Sequence, residues 1–267
     1  MPKNLMTKIV RLTLSLALTL IASAAQLAQA HDMWATAEKP AVGEPLTALV
    51  GYGHNFPAFE AIDDAELPFF KISVLGPAGP LALKPGSPNY RFESGSPAVK
   101  GTYLVISDVA PIFWTKTPSG WSMKPKNESP GGLECGHYIE SAKGVVAVGG
   151  DVSAELATKP TGLPIELVPA VHPGTVKPGD KLVLQALLNG RPLAGAKVEA
   201  KFGAFAAQAS PSALAFSDLT DQDGRVGFVP LVAGDWLVAV TSEAPFADPA
   251  RCDKVAYGST LFFSVAP

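Results

Sequence analysis

Glycine and proline interrupt this chain so often that long helices are excluded over most of its length. Its 267 residues include 25 glycines and 25 prolines, and both residue types break helices and mark turns. Between them lie short alternating or β-branched runs such as LTALVGY, FFKISVLG, GTYLVIS, KLVLQALL and STLFFSVA. Each run predicts a strand. Because no amphipathic helical segment separates these runs, the pattern predicts an all-β protein built of sandwiches.

A change in composition predicts two β-sandwich-like domains. The segment DVSAELATKPTGLP is polar and rich in turn residues, and a new strand begins after it at Ile165. Further on, KLVLQALLNGRPLAGAKVEAKF shows two strand patterns around the turn signal Asn189-Gly190. We therefore expect residues 31–160 to form an N-terminal β-rich domain. Residues 165–267 should form an immunoglobulin-like or transthyretin-like β-sandwich.

Residues 1–30 have the features of a cleaved export signal. Positive charges precede an apolar run that is too short for a comfortable transmembrane helix. The small-x-small sequence Ala28-Gln29-Ala30 matches the form that signal peptidase cleaves. We expect a periplasmic or secreted mature chain that begins at His31 and has no transmembrane segment.

The charge and the cysteine content of the chain narrow the possible classes of function further. The formal net charge of −3 gives no indication of nucleic-acid binding. Cys135 and Cys252 are the only two cysteines, and in an oxidising compartment an even count favours a single disulfide. A metal–thiolate site is the less favoured alternative, because neither cysteine belongs to a C-x-x-C pair.

Several segments together resemble one known family. They are HDMW, GYGHNFP, FWTKTPSGW, LPIELVPAVHPGTVKPGDKLVLQALLNGRPLAGAKVEA and TDQDGRVGFVPLVAGDWLVAV. Over nearly all of the mature chain, the sequence resembles the domain of unknown function 4198 family, described as NikM-like or nickel-uptake-related. The resemblance implies an exported β-sandwich protein linked to nickel or cobalt transport, with a membrane metal-uptake transporter as its partner.

A histidine at the mature N-terminus has a specific chemistry. The α-amine and imidazole Nδ1 of His31 can chelate one metal ion together, and metals displace the proton of such an amine readily. His54 in GYGHNFP ends an early strand and is the candidate second imidazole. Such nitrogen ligands suit nickel, cobalt or copper, with copper favoured by intrinsic affinity. Alternatively, His31 follows the cleavage site by accident and His54 bonds loop backbone.

The sequence contains two further histidines, His137 and His172. His137 lies two residues after Cys135, so on a strand both side chains share a face. It is either a third metal ligand or a neighbour of the disulfide. His172 lies at the predicted domain junction, and we expect a structural role for it.

The segment FWTKTPSGWSMKPK predicts an aromatic, basic loop. Trp114 and Trp121 could stack on a sugar or a partner, but large aromatic side chains are seldom left exposed. We therefore favour packing of both tryptophans against the end of a sandwich.

Three classes of function follow from these features. The first is a periplasmic binding protein that captures a divalent transition metal, or a metal complex, for a membrane uptake system. The second is a structural or protein-interaction module without a metal site. The third, an oxidase with a histidine-ligated metal, is least favoured. Because no catalytic motif such as G-x-S-x-G or H-E-x-x-H is present, we expect no enzymatic activity.

Overall fold

The computed structural model describes residues 31–38, 41–206 and 213–267, so the predicted export signal at residues 1–30 lies outside the described residues. In chain order the strands are β1 (Asp32–Ala37), β2 (Pro45–Gly53), β3 (Phe70–Gly76), β4 (Gly79–Leu81), β5 (Leu83–Pro85), β6 (Arg91–Pro97), β7 (Gly101–Thr117), β8 (Gly120–Ser122), β9 (Glu134–Val148), β10 (Ile165–Pro169), β11 (Leu182–Leu188), β12 (Arg191–Pro192), β13 (Lys197–Phe202), β14 (Phe216–Leu219), β15 (Arg225–Phe228), β16 (Gly234–Pro245) and β17 (Lys254–Val265). The short helices are η1 (Leu67–Phe69), η2 (Lys126–Glu128), α1 (Ala154–Ala157), η3 (Pro173–Thr175) and α2 (Gly203–Ala206). In the described part of the chain, no helix has the length and apolar character needed to cross a membrane.

Within the described residues these strands form three sheets, and the prediction of an all-β fold is confirmed. One sheet has the order β1-β2-β6-β5, and a second has the order β10-β11-β12 with β15 beside β11. The largest has the order β14-β13-β16-β17-β9-β7-β3-β4, with β8 beside β7. Its central pair β9–β17 is parallel, whereas the flanking pairs β7–β9 and β16–β17 are antiparallel.

The large sheet contributes to two sandwiches. The sheet that begins with β1 packs on the β3, β7 and β9 part of the large sheet, around buried side chains such as Ala48 and Val105. The sheet that begins with β10 packs on the β13, β16 and β17 part, around Leu184 and Val238. This second sandwich is the immunoglobulin-like one that the C-terminal half predicts.

The hydrogen-bonded sheet crosses the predicted boundary between residues 160 and 165. Strand β17 pairs with β9 from Lys254 opposite Gly136 to Phe262 opposite Gly144. The two cores largely follow the predicted division, but the sheet beneath them is continuous. Both halves of the chain therefore contribute to one hydrogen-bonded framework.

Two local predictions are confirmed. Cys135 and Cys252 form a disulfide with a Cα–Cα distance of 5.0 Å, and it lies beside the first pairs of the β9–β17 ladder. Asn189 and Gly190 have φ angles of 50° and 73°, as a two-residue hairpin turn requires, and Leu188 pairs with Arg191 across it.

The prediction of an aromatic loop is wrong. Strand β7 continues into the start of that segment as far as Thr117, and β8 pairs back on it, so that Lys116 lies opposite Trp121. Trp114 packs against the N-terminal core, as expected, but Trp121 is 52% exposed. The expectation that both tryptophans pack against the end of a sandwich is therefore wrong for Trp121.

A buried ion pair joins the large sheet to the sheet that begins with β10. Lys143 Nζ on β9 lies 2.9 Å from Glu166 Oε2 on β10, and both side chains are 1% exposed. The Glu166 carboxylate also accepts hydrogen bonds from the backbone N–H groups of Thr161 and Gly162. Burial opposes ionisation of Glu166, but Lys143 and the Thr161 bonds together hold its pKa below the usual range. Burial lowers the pKa of Lys143.

We expect Lys143→Met to lower the free energy of unfolding by about 3–5 kcal/mol, because the Glu166 charge would remain buried without its partner. The double variant Lys143→Met/Glu166→Gln removes that charge and keeps an oxygen for Thr161. It should lose less stability. Urea unfolding of both variants measures the difference, and equal losses would show that the unpaired charge is not the cause.

Candidate functional site

The segments HDMW and GYGHNFP form one structural unit. Strand β1 pairs with β2 so that Asp32 lies opposite Gly53 and Trp34 opposite Gly51. Trp34 is 1% exposed, and a Cβ atom added to Gly51 would lie 1.9 Å from its Cε2 atom. Only glycine at position 51 leaves room for the indole. The close contact therefore depends on one residue from each segment.

The loop that follows β2 and carries His54 is anchored by two phenylalanines. The ring of Phe56 meets Trp34 edge-on at a centroid distance of 5.3 Å, and Phe59 lies 5.5 Å from the same indole. Phe56 also contacts Phe262 of β17. Aromatic pairs of this kind add stability beyond the area that they bury. The loop is therefore packed on strands from both halves of the chain.

Two carboxylates, those of Glu60 and Asp32, lie at the end of this unit where Asp32 pairs with Gly53. Asn55 Nδ2 donates to Glu60 Oε1 at 2.6 Å, which closes the loop after β2. A Cβ atom added to Gly53 would lie 3.3 Å from Glu60 Oε2, so this carboxylate lies at the end of β2. On β1, the Asp32 carboxylate lies 2.5 Å from Lys201 Nζ. The Glu60 carboxylate gives the end of β2 a negative charge.

His31 and His54 occupy positions beyond strand ends. His31 is exposed and precedes β1 in the chain, whereas His54 is partly buried and follows β2. Within residues 31–38, 41–206 and 213–267, no group of three or more His, Cys, Asp and Glu side chains is arranged to hold a metal ion. Metal binding by these two histidines stays a prediction.

His137 lies in an aromatic cluster beside the disulfide. Its ring stacks on Phe113 at 4.3 Å, and Phe246 packs against it at 5.5 Å. Arg251 lies over the other ring of this stack, 5.2 Å from the centroid of Phe113. Burial lowers the pKa of His137, and the Arg251 charge lowers it further. This guanidinium also opposes a bound cation, although the role of His137 as a ligand stays a prediction.

Tyr52 of β2 and two acids, the buried Glu66 and the partly buried Glu140, form a group that the sequence does not indicate. The Tyr52 hydroxyl and the Glu66 carboxylate form a hydrogen bond, and the buried Glu66 Oε2 has no hydrogen-bond partner among the described residues. Burial raises the pKa of Glu140 to about 7, and the Glu66 charge adds to the shift. Burial also raises the pKa values of Glu66 and Tyr52.

The available sequence signal for this group is weak. Glu140 is one of two acids in strand β9, and Glu66 lies in the segment DDAELPFF. Nothing in the spacing of the two acids indicates that they meet. Together they can hold a proton near neutral pH, close to Tyr52 of β2.

Comparison with known proteins gives one strong match and several weak ones. The family model described as Domain of unknown function (DUF4198) matches residues 28–244. No curated protein matches the chain.

Three of the similar solved structures are multi-domain β proteins. The D0-D1 domain of intimin is 14% identical over 86% of this chain and 96% of that chain, with a TM-score of 0.21. The two fibronectin type III domain segment from chicken tenascin is 10% identical over 84% and 95%, with a TM-score of 0.21. The fibronectin(III)-like modules of Clostridium thermocellum CbhA are 12% identical over 87% and 95%, with a TM-score of 0.19. Scores this low carry no argument about function.

We expect Gly51→Ala to destabilise the protein by about 1–3 kcal/mol, because the new methyl group displaces the Trp34 indole from a filled site. Amide exchange in residues 54–60 should increase at the same time, since Phe56 and Phe59 lose their support. The control is Gly95→Ala on β6, where an added Cβ meets nothing within 4 Å. Equal effects of the two substitutions would contradict the interlocking of the two segments.

Glu140 should make stability depend on pH. Its raised pKa means that the folded state holds a proton that the unfolded state releases, so stability falls as pH rises from about 4.5, the ordinary value, to about 7. We expect Glu140→Gln to remove this part of the fall. Urea unfolding across this pH range tests the prediction. An unchanged pH profile in the variant would show that Glu140 does not hold this proton.

Proposed function

Because the chain belongs to the family Domain of unknown function (DUF4198), and because its HDMW and GYGHNFP segments interlock, we propose that it is an exported metal-binding protein. Its cargo is a divalent transition metal, nickel, cobalt or copper, or a complex of one. Outside the cytoplasm, the protein delivers this cargo to a membrane uptake system. The proposal assigns no catalytic step to the protein.

The main support for the proposal comes from the residues at one end of the β1–β2 ladder. Asp32 lies opposite Gly53 as the last pair, and the next residues along the two strands are His31 and His54. The two proposed histidine ligands thus directly precede and follow two strands that are paired with each other. When His31 is the first residue of the processed chain, its α-amine and Nδ1 supply two nitrogens and His54 supplies the third.

The residues around this end of the β1–β2 ladder also support the binding of a metal ion. The packed aromatic contacts of Phe56 and Phe59 restrict the His54 loop, which lowers the entropy cost of ordering a ligand. The Glu60 carboxylate at the end of β2 attracts a cation. Water or a third imidazole completes the shell, and His137 is the predicted third ligand.

The test is isothermal titration of protein that begins at His31 with Ni²⁺, Co²⁺ and Cu²⁺, after its N-terminus has been verified by intact mass. Adding one alanine before His31 keeps every side chain but moves the α-amine away from the imidazole. We expect this extension and His54→Ala each to weaken binding by about 10-fold or more, at least as much as the loss of an outer-shell partner.

The control variants separate the possible ligands. His172→Asn should leave metal affinity unchanged, whereas His137→Ala should weaken it only if His137 is the third ligand. If the extended protein and His54→Ala both bind as tightly as the unmodified protein, the proposed site is wrong. The alternative of a non-catalytic structural or protein-interaction module would then be the better account.

A further inference from the structure

Strand β1 follows the β9–β17 ladder in a fixed register. The Ala35 carbonyl oxygen lies over Gly144, since a Cβ atom added to that glycine would lie 1.9 Å from it. Gly144 is opposite Phe262 in the ladder. Two residues earlier on β1, the Met33 carbonyl oxygen accepts a hydrogen bond from Thr260 at 2.6 Å. A step of two residues along β1 therefore matches a step of two residues along β17.

The same register places His31 at the level of Glu140. His31 precedes Met33 by two residues. The ladder pair that precedes Thr260 by two residues is Gly258 opposite Glu140. A Cβ atom added to Gly258 would lie 3.8 Å from Glu140 Oε1, and apart from its chain neighbours it would meet only Glu140 within 4 Å among the described residues. The Glu140 side chain therefore extends over β17 into space that no other described side chain fills.

Glu140 lacks a counter-charge, and export processing creates one. Among the described residues, no lysine or arginine forms an ion pair with Glu140. Burial and the Glu66 charge raise the pKa of Glu140. While Ala30 precedes His31, the backbone nitrogen of His31 is an uncharged amide. Cleavage between these two residues turns it into an amine that is protonated at neutral pH, because free α-amines have a pKa of about 8.

We propose that the Glu140 carboxylate binds the α-amine of His31 in the processed chain and positions this amine for the metal ion. This inference rests on the proposed function, in which the amine is a metal ligand. Without metal, the α-ammonium forms an ion pair with Glu140. A bound metal displaces one proton of the ammonium to solvent, and a remaining N–H group still donates to Glu140. The carboxylate then also balances part of the charge of the dication, as partners of metal ligands commonly do.

Processing therefore changes the environment of Glu140. The pH dependence of stability that we expect from this residue belongs to the chain in which Ala30 still precedes His31. In the processed chain the ammonium stabilises the ionised carboxylate, because an opposite charge at close range favours the charged form. Glu140 thus distinguishes a processed N-terminus from an unprocessed one.

Carbodiimide cross-linking tests the contact without metal. The reagent joins a carboxylate to an amine that lies against it, with the loss of one water, and mass spectrometry identifies the linked peptides. In protein that begins at His31, we expect an amide between the α-amine and Glu140. Glu140→Gln should abolish this link. Coupling of the amine to other carboxylates in place of Glu140 would overturn the proposal.

Nickel titration of four proteins tests the positioning role. The proteins begin either at His31 or at an alanine added before it, and each has glutamate or glutamine at position 140. We expect Glu140→Gln to weaken Ni²⁺ binding about 10-fold or more in protein that begins at His31, as the loss of an outer-shell partner does. In the alanine-extended protein the same substitution should have little further effect, because interacting groups are not additive. A merely structural role would weaken both proteins equally, and equal losses or no loss would overturn the proposal.

Glu134→Gln is the matched control, because Glu134 is the other acid of β9 and its side chain is 63% exposed. This variant should leave the cross-link and the Ni²⁺ affinity unchanged. Metal binding that persists without the cross-link would leave the proposed function intact and overturn this inference alone. A cross-link in protein that binds none of Ni²⁺, Co²⁺ and Cu²⁺ would overturn the proposed function, and the positioning role with it.

Discussion

The parallel pairing of β9 with β17 is the constraint on which the rest of the structure depends. It joins a strand from the first half of the chain to the last strand, and thus makes one sheet from two halves. The Cys135–Cys252 disulfide holds its beginning. Towards its other end, Lys143 of β9 forms the buried ion pair with Glu166. Covalent, hydrogen-bonded and ionic contacts therefore all secure the same ladder.

The N-terminal strand is placed by this ladder. A Cβ atom added to Gly144 of β9 would lie 1.9 Å from the carbonyl oxygen of Ala35, so β1 crosses the sheet where a side chain is missing. Thr260 of β17 donates a hydrogen bond to the Met33 carbonyl oxygen at 2.6 Å. Both halves of the sheet thus support β1 and the loop that carries His54. A binding site at the end of β1 would have a rigid base.

The histidines show how much of a candidate site depends on surroundings. His137 lies two residues after a disulfide cysteine and His172 precedes a proline, and either can be a ligand by residue type alone. In the folded chain, His137 is stacked on Phe113 near a guanidinium. His172 caps η3 and directs an unused donor away from its cap. The two imidazoles therefore have different chemistry although their residue type is the same.

The sequence by itself determined the features that depend on near neighbours. Frequent glycine and proline excluded long helices, Asn189-Gly190 specified a hairpin, and two cysteines allowed one intramolecular disulfide. It also indicated HDMW and GYGHNFP as a candidate site. Only the tertiary structure decided that Trp34 lies over Gly51, that Glu140 lies near Glu66, and that β9 and β17 pair and then separate. Side-chain alternation identifies a strand, but the choice of its partner depends on packing between residues far apart in the chain.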